Sequence, residues 1–492
     1  MKKIFFLVTI LTLTFIFVGC PSGQKPLPPV VSGPLVVMPG IADTFSAVST
    51  DPDGDNIKYQ FDWGNGEISE WSTLLASGSV YKVVHTYTNK GIYSVKAKAR
   101  DQKGKTSEWS NLLSVACGLG ILRWTFTCPD QEDFNSTPAI DNQDNIYAGC
   151  YAGHIHSVNA NGQVRWQYDN GTAYEFDASP AIAPNGNIYA CDGNGVVHCI
   201  NPNNGSQIWS RTVGYAIVAT PAVGANNEVY VNSDDGFLYA INAQGQELWH
   251  QSAGGVSLSS PAIDANKNIY VGSDDGHLYS YDSLGNLRWR YYVGDEISSS
   301  PAIMPNGKIC FGANDGYFYI LNPDSTLYHA ENLIDEISTS PVIGTDSAIY
   351  ITTEGGKLVR LDPDGNYDWD FPTEGDYTSS PAVVRYSGIS GDIIYFKVNL
   401  VNKRQSDVDS LYMIKSDGTR FAAASIFPVG GLPDPEIVSS PTVGNDGTIY
   451  IGGGVDFDSE QGGLFALSGR GTVASSSWPL FRHDTKNTGR VQ

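Results

Sequence analysis

The chain has 492 residues, with 52 acidic and 30 basic side chains, and its formal net charge is −22. Nucleic-acid binding needs lysine and arginine to neutralise phosphates, so this charge argues against nucleic acid as a partner. Beyond the first twenty residues, no segment is apolar enough to span a membrane. We therefore expect an acidic protein that meets a membrane only through its N-terminus.

The N-terminus predicts export. Lys2 and Lys3 precede an apolar run, 4–18, that is too short for a membrane span and is typical of a signal peptide. The run ends in Phe-Val-Gly-Cys, which resembles a bacterial lipobox, with phenylalanine where leucine is usual. The resemblance implies lipidation of Cys20, which becomes the first residue of the mature protein once the residues before it are removed; an ordinary secretory signal is the alternative. We expect a lipid anchor in the cell envelope, at the outer membrane, on its periplasmic or its outer side.

Residues 21–34 are rich in proline and glycine and predict an extended tether. Residues 35–117 then predict a small all-β sandwich. Its predicted strands are 44–49, 58–62, 79–87, 91–100 and 111–115. The stretches at 51–66, 85–101 and 105–115 resemble PKD and related Ig-like domains of bacterial surface proteins, which implies a spacer or an adhesive module.

Asp51, Asp53 and Asp55 stand at alternate positions before a predicted strand. Three such carboxylates could bind calcium, and this is the one metal candidate that the sequence offers. A solvated turn is the reading we favour, because the glutamate of an EF-hand loop is missing.

A repeat of about 40 residues fills the rest of the chain, 118–492. Its opening prolines are Pro138, Pro180, Pro221, Pro261, Pro301, Pro341, Pro381 and Pro441. Such a period is typical of propellers or of linear repeat arrays. Helical periodicity is almost absent, so we predict a propeller.

The copy at 259–289 shows four strand-like runs: 259–263, 268–273, 277–281 and 287–289. The first contains proline, which belongs on an edge strand, and we place it nearest the central axis. Asp275-Gly276 predicts a type I′ turn between the second and third strands. The tryptophan that ends the fourth run is suited to filling the gap between neighbouring blades.

The number of repeats predicts eight blades of four strands. Residues 120–124 read as a fourth strand without the first three, whereas the last copy, 440–467, lacks its fourth strand. The two ends are therefore expected to share one blade and close the ring. The predicted fold is all-β: an eight-bladed β-propeller preceded by a small β-sandwich.

The recurring S-S-P-A-[IV], I-Y-[VI]-G-S-x-D-G-x-L-Y and G-x-x-x-W elements resemble the PQQ-like family over about 119–490. Most members are non-enzymatic propellers. The quinoprotein dehydrogenases among them pair adjacent cysteines beside the quinone, and no two cysteines are adjacent here. We therefore expect no quinone cofactor, no other cofactor except possible calcium, and no enzymatic activity.

The cysteines after Cys20 are Cys117, Cys128, Cys150, Cys191, Cys199 and Cys310. Six cysteines allow 15 disulfide connectivities, and the sequence does not choose among them. Paired C-x-x-C spacing is absent, which argues against a structural zinc site. The tail at 478–490 resembles an element of some bacterial PQQ-like propellers, and we interpret it as a capping tail packed by Trp478 and Phe481.

Acidic residues concentrate in the connections between blades, which should emerge at the same end as the turns between second and third strands. The connection residues are Glu132, Asp133, Glu175, Asp177, Asp295, Glu296, Asp335, Glu336, Glu374 and Asp376. The turns add Asp192, Asp234, Asp235, Asp274, Asp275, Asp315 and Glu354. Loops at the opposite end, such as 184–187 and 201–204, are expected to be mainly neutral. We predict an acidic binding face for cationic partners or divalent ions, with surface solubility as the alternative.

The step before Pro441 is 60 residues long and contains Lys403 and Arg404, which we predict to belong to a recognition loop. The predicted function is a non-catalytic envelope scaffold that binds proteins or surface polymers. The lipobox and the eight PQQ-like blades resemble the layout of propeller lipoproteins of outer-membrane barrel assembly, so an assembly factor is one alternative. A quinone-dependent oxidoreductase is the other. The ligand and the oligomeric state stay open.

Overall fold

The computed structural model describes residues 23–491 except 35, 38, 130–132, 173, 257, 374–376, 387–389, 400–409, 426–438, 454–462, 470–471, 476–478 and 485–486. The chain divides into two compact units between Cys117 and Gly118. Every regular element of the described residues is a strand, and they include no helix long and apolar enough to cross a membrane.

The described residues of the first unit form seven strands. They are β1 (Val30–Ser32), β2 (Val36–Val37), β3 (Ala42–Val48), β4 (Ile57–Asp62), β5 (Tyr81–Thr86), β6 (Gly91–Asp101) and β7 (Leu113–Cys117). One sheet has the order β1-β3-β5 and the other β2-β7-β6-β4. Strands β3 and β4 bury alternate side chains, among them Phe45, Tyr59 and Phe61, in the core between the sheets.

One part of the predicted tether is a strand. Val30 pairs with Val48 and Val31 with Ala47, so β1 extends the sheet of β3. The surrounding prolines favoured the prediction of a tether, although two adjacent β-branched residues by themselves favour a strand. The five predicted sandwich strands correspond to β3 through β7, with end shifts of at most two residues.

The described residues of the second unit form eight sheets, seven of which follow one another along the chain. Their strands are β9 (Ala139–Ile140), β10 (Ile146–Cys150), β11 (His154–Val158), β12 (Val164–Asp169); β13 (Ala181–Ile182), β14 (Ile188–Cys191), β15 (Val196–Ile200), β16 (Gln207–Thr212); β17 (Ala222–Val223), β18 (Val229–Ser233), β19 (Phe237–Ile241), β20 (Glu247–Ser252); β21 (Ala262–Ile263), β22 (Ile269–Gly272), β23 (His277–Tyr281), β24 (Leu287–Tyr292); β25 (Ala302–Ile303), β26 (Ile309–Gly312), β27 (Tyr317–Leu321), β28 (Leu327–Asn332); β29 (Val342–Ile343), β30 (Ile349–Thr353), β31 (Lys357–Leu361), β32 (Tyr367–Pro372); and β33 (Tyr377–Thr378), β34 (Ala382–Arg385), β35 (Asp392–Asn399), β36 (Ser410–Lys415), β37 (Arg420–Ser425).

The eighth sheet closes the ring. It joins β38 (Thr442–Val443), β39 (Ile449–Gly453) and β40 (Gly463–Leu467) to β8 (Leu122–Thr127) from the beginning of the unit. The register pairs Leu464 with Phe126 and Ala466 with Trp124. The predicted sharing of one blade between the two ends is therefore confirmed. A further short strand, β41 (Thr472–Val473), pairs with β34.

The Ser-Ser-Pro element joins the sheets to one another. The backbone N–H of Ser260 donates to Oγ of Ser300 at 3.0 Å, and that of Ser300 donates to Oγ of Ser340 at 3.0 Å. The same bond runs from Ser440 to Thr137, across the junction of the two chain ends. These hydroxyls precede the first strand of each sheet, so the first strands lie side by side around the axis, as predicted.

Two local predictions need correction. The first strand of the reference copy contains only Ala262 and Ile263, because Pro261 has no N–H to donate. The turn at Asp275-Gly276 is not type I′, since only Gly276 has a positive φ, at +80°. Oδ1 of Asp275 instead accepts the N–H of His277 at 3.0 Å, which stabilises a longer turn.

The tryptophans bridge neighbouring sheets, as predicted. Nε1 of Trp209 donates to the carbonyl of Ala243 in the next sheet at 2.9 Å, and Trp249 makes the equivalent bond to Ser283 at 3.1 Å. Gly245 lies beneath Trp209 with φ +80°, and a Cβ there would come within 2.8 Å of the ring. Glycine is therefore required at this position by both backbone and packing.

Candidate functional site

The connections between sheets and the turns between second and third strands meet at one end of the propeller. A repeated hydrogen bond joins them, from a turn N–H to the carbonyl of the connection that enters the same sheet. The pairs are Gly193 to Glu175 (2.9 Å), Asp234 to Ala216 (2.9 Å), Asp274 to Val256 (3.3 Å), Asn314 to Glu296 (2.9 Å) and Glu354 to Glu336 (3.0 Å). This repeated contact brings acidic side chains from successive sheets to one end. We define the acidic face by Asp234, Asp274, Glu296, Glu336 and Glu354.

The carboxylates of the acidic face repel one another. Burial, followed by the charges of Glu296, Asp234 and Asp275, raises the pKa of Asp274 to about 6. The charge of Glu354 is the largest cause that raises the pKa of Glu336, ahead of its partial burial. Some of these neighbours, Asp234 and Glu296 around Asp274 and Asp295 and Glu296 around Glu336, come from the loops of adjacent sheets, so the packing of the sheets contributes to the charge cluster.

Several predicted acidic residues are occupied by structural bonds and do not belong to this cluster. The aspartates before the turn glycines bind tyrosines four residues on: Asp235 accepts from Tyr239 at 2.5 Å, Asp275 from Tyr279 at 2.6 Å and Asp315 from Tyr319 at 2.5 Å. Asp192 is buried against His198, with 3.0 Å between Oδ2 and Nε2. Asp335 forms an ion pair with Lys357 at 3.0 Å.

The other predicted site residues divide into two groups. Asp133 and Glu175 lie in connections at this end, where their carbonyls accept the N–H groups of Tyr151 and Gly193. Asp177 is half-buried in a connection, and Asp295 is exposed beside Glu296. The residues that lie outside the described part of the chain are Cys20, Glu132, Glu374, Asp376, Lys403 and Arg404.

Exposed apolar side chains accompany the acids. Tyr215 is 72% exposed, Val256 47% and Leu258 55%, all in connections at this end. Ile334 is 83% exposed and has a φ of +75°, a backbone conformation that is costly for a β-branched residue. The acidic face therefore combines charge with the apolar contacts that are typical of protein-docking surfaces.

The expectation of a mainly neutral opposite end is wrong, because many carboxylates lie there. They are, however, bonded within their own loops. Oδ1 of Asp282 accepts the N–H groups of Leu284 and Asn286 at 2.9 Å, and Asp346 forms an ion pair with Arg360 at 2.7 Å. Within the described residues, no ion pair neutralises Asp274, Glu296 or Glu336, and this distinguishes the acidic face more than the number of acids does.

The C-terminal tail lies against the first strands of several sheets. Arg482 is buried and donates to the carbonyls of Ser260 and Pro261. Nδ2 of Asn487 donates to the carbonyls of Thr137 at 3.2 Å and Pro180 at 3.0 Å. These are bonds that hold the tail in place, which supports the capping role; the predicted packing by Trp478 lies outside the described residues.

The three aspartates of the first unit converge. One carboxylate oxygen from each of Asp51, Asp53 and Asp55 lies within 4.8 Å of the others. Asp51 and Asp55 are only 5% and 9% exposed, so the favoured interpretation as a solvated turn does not describe them. Asp55 also pairs with Lys103 at 2.7 Å, and this ammonium group supplies part of the positive charge that a calcium ion would bring. Calcium binding there stays a prediction.

Sequence reasoning missed a second cluster, formed by Cys128, Cys150, His154 and His156. Only the spacing of His154 and His156, two residues apart on one strand, signalled that side chains would share a face. The six cysteines after Cys20 are all buried, and none forms a disulfide within the described residues.

Comparisons with known proteins agree with the two units. No curated protein sequence matches the chain. BamB from Moraxella catarrhalis has a similar structure, with a TM-score of 0.55 and 14% identity over 71% of this chain and 98% of that chain. The computationally designed Ika8 protein has a TM-score of 0.54 and 13% identity over 71% of this chain and 100% of that chain. These identities are low enough that the likeness shows the fold alone.

The PKD domain of an M14-like peptidase from a Thermoplasmatales archaeon is 39% identical over 19% of this chain and 96% of that domain, with a TM-score of 0.19. Two family models match the sequence. One is the PKD domain, over 29–114, and the other is described as outer membrane protein assembly factor BamB, over 151–365. The chain is therefore similar to a PKD domain over 29–114 and, over 151–365, to the family described as outer membrane protein assembly factor BamB, and its second unit has the fold of a β-propeller.

Proposed function

We propose that this protein is a non-catalytic lipoprotein of the cell envelope whose propeller docks a cationic protein partner on the acidic face. The observation that carries the proposal is the repulsion among carboxylates of this face: burial and then the charges of Glu296 and Asp234 raise the pKa of Asp274, and the charge of Glu354 is the largest cause that raises the pKa of Glu336. Within the described residues, Asp274, Glu296 and Glu336 form no ion pair. Lysine or arginine side chains of a partner would relieve this repulsion.

The apolar side chains of the same end favour a protein over a simple cation. Tyr215 and Ile334 are among the most exposed large apolar residues of the described chain. Tyrosine and aliphatic side chains surrounded by charges are common at interfaces between proteins. A partner segment that carries both basic and apolar residues fits this surface best.

The test compares two variants of equal charge change. Asp274→Asn, Glu296→Gln, Glu336→Gln and Glu354→Gln together neutralise the acidic face. The control is Asp282→Asn, Asp324→Asn, Asp362→Asn and Asp417→Asn, at the opposite end. Each control aspartate accepts the N–H two residues on through Oδ1, a bond that asparagine retains.

A partner is first captured by cross-linking of the tagged full-length protein in cells and identified by mass spectrometry. Its affinity for the purified protein is then measured at low and high salt. We expect the acidic-face variant to lose at least tenfold in affinity at low salt, and the control to lose less than twofold. Equal affinities of the two variants at low salt would contradict the proposal.

An assembly factor for outer-membrane proteins is the second candidate, favoured by the description of the family that matches 151–365. Capture of barrel-assembly components or of nascent outer-membrane proteins would support it. Capture of surface polymers alone would favour a surface-binding module. A quinone-dependent oxidoreductase is the weakest candidate, because the adjacent cysteines that the quinoprotein resemblance implies are missing from the sequence; absorbance of the purified protein for a bound quinone tests it.

A further inference from the structure

Two cysteines and two histidines meet where the chain passes from the closing sheet to the first complete sheet. Cys128 directly follows β8, Cys150 ends β10, and His154 and His156 lie on β11. The Sγ atoms of Cys128 and Cys150 lie 3.2 Å apart, and Nε2 of His156 lies 3.7 Å from each of them. One ligand atom from each of the four residues lies within 4.8 Å of the other three.

The direction and register of the strands bring these side chains together. Residues two apart on a strand project to the same side, so His154 and His156 share a face of β11. The register of the β10–β11 hairpin places Cys150 directly opposite His154. Cys128, Cys150 and His156 are each 1% exposed, whereas the side chain of His154 is 14% exposed and marks the route from solvent.

The second sheet shows how the fold satisfies a histidine at the same position. His198 occupies the third place of β15, as His156 does on β11. Its Nε2 lies 3.0 Å from Oδ2 of Asp192, and its Nδ1 lies 2.8 Å from the hydroxyl of Tyr168. Asn170 donates to the same Asp192 oxygen at 3.2 Å. Both ring nitrogens of this histidine are therefore bonded to oxygen atoms of the chain.

In the first sheet every one of those partners has changed. Cysteines stand at the positions of the asparagine and the aspartate, and Phe126 stands at that of the tyrosine. Among the described residues, Nδ1 of His156 accordingly has no hydrogen-bond partner, although it is buried. A second histidine, His154, is added where the second sheet has valine. The changes replace a hydrogen-bonded cluster by four groups that share one property: all bind soft or borderline metal ions.

We infer that Cys128, Cys150, His154 and His156 form a binding site for a tetrahedral transition-metal ion of the zinc class. Zinc bound to sulfur at about 2.3 Å and to nitrogen at about 2.0–2.1 Å requires ligand atoms separated by about 3.3–3.8 Å. The distances of 3.7 Å from Nε2 of His156 to the two sulfur atoms meet this requirement as they stand. The two sulfur atoms need to separate by about half an ångström, which a small rotation of either side chain provides.

The ion would cross-link the two sheets at the place where the ring closes. Strand β8 pairs with β40 of the C-terminal part, so Cys128 is tied to the closing sheet, whereas the other three ligands belong to the first complete sheet. A metal bound by both sheets connects them directly at the junction of the two chain ends. We therefore expect it to stabilise ring closure, independently of any partner on the acidic face.

The test uses the full-length protein, reduced and stripped of metal, and titrates it with Co²⁺ alone and then with Zn²⁺ alone. We expect one ion per chain, the intense visible absorption of tetrahedral thiolate-bound cobalt, and its loss when Zn²⁺ is added. Uptake should release about two thiol protons per ion, and Zn²⁺ should raise the melting temperature by about 5 °C.

The matched variant Cys128→Asn with Cys150→Asp restores the asparagine and the aspartate of the second sheet and should fold without the intense absorption of thiolate-bound cobalt. Cys191→Ala with Cys199→Ala removes two cysteines elsewhere and should leave binding unchanged. His154→Val is a milder change, because valine stands at the equivalent position of the second sheet. It replaces the first variant in the test if that variant fails to fold, and it should weaken cobalt binding at least tenfold. The inference is overturned if wild type binds less than half an ion per chain, if the variants bind as wild type does, or if the isolated native protein contains a Cys128–Cys150 disulfide.

Discussion

The substitution Ser300→Ala tests whether the Ser-Ser-Pro motif connects neighbouring sheets. Oγ of Ser300 accepts the N–H of Ser260 at 3.0 Å, and the two residues are only 5% and 2% exposed. Alanine leaves that N–H buried without an acceptor, which should lower the free energy of unfolding by about 1–3 kcal/mol. The loss of a single oxygen creates little cavity, so the hydrogen bond dominates the effect.

The control is Ser300→Thr, because threonine already serves at the equivalent position in another sheet. Oγ1 of Thr137 accepts the N–H of Ser440 at 3.0 Å. This variant should change the free energy of unfolding by less than about 0.5 kcal/mol. Adding Ser340→Ala removes a second bond with its own donor and acceptor, so the two losses should be nearly additive.

Urea unfolding of the full-length protein, followed by tryptophan fluorescence and circular dichroism, measures these differences. Most tryptophans of the chain, including those that bridge neighbouring sheets, lie in the propeller, so fluorescence reports mainly on this unit. If the alanine and threonine variants have the same stability as wild type, the ring of hydroxyl bonds does not hold the sheets together. The motif would then need a different explanation.

Two further predictions concern the tail and the acidic face. Asn487→Ala removes the donors to the carbonyls of Thr137 and Pro180 and places alanine at a φ of +54°. Urea unfolding should therefore show that the free energy of unfolding falls by about 2–4 kcal/mol. An unchanged free energy would mean that the tail is not anchored there. The folded-state pKa of Asp274, about 6, lies above the ordinary value, so its contribution to stability falls as the pH rises from about 4 to 6. Asp274→Asn should therefore stabilise the protein at pH 7.5 and leave its stability at pH 3.5 unchanged; an equal effect at both would contradict the raised pKa.

The repeat pattern was enough to predict the closure of the ring and the strand order of seven of the eight described sheets; the remaining sheet also contains β33 and β41, which the repeat did not predict. Residues 120–124 carry the Leu-Arg-Trp signature of a fourth strand, and the structure pairs β8 with β40 accordingly. Local exceptions came from local chemistry. Pro261 shortens its strand, and the side chain of Asp275 favours a longer turn than the Asp-Gly pair suggests.

The candidate site was only half predictable. The positions of the acids along the chain showed which end of the propeller they occupy. Their partners could not be read in the same way, since Asp335 meets Lys357 of the sheet it precedes, whereas Glu336, one residue on, meets Glu354. Whether neighbouring side chains point toward each other depends on loop geometry, which residue spacing does not encode.

The sequence by itself determined the architecture of this protein. Its period of about 40 residues predicts the blades, and the lone fourth strand at one end completes the three-stranded copy at the other, which closes the ring. Only the tertiary structure decided where chemistry gathers. Cys128 belongs to one sheet and Cys150, His154 and His156 to the next, so their proximity follows from the packing of blades. A metal-ligand pattern within a single stretch of chain would have been visible in the sequence, whereas this cluster exists only because the ring closes.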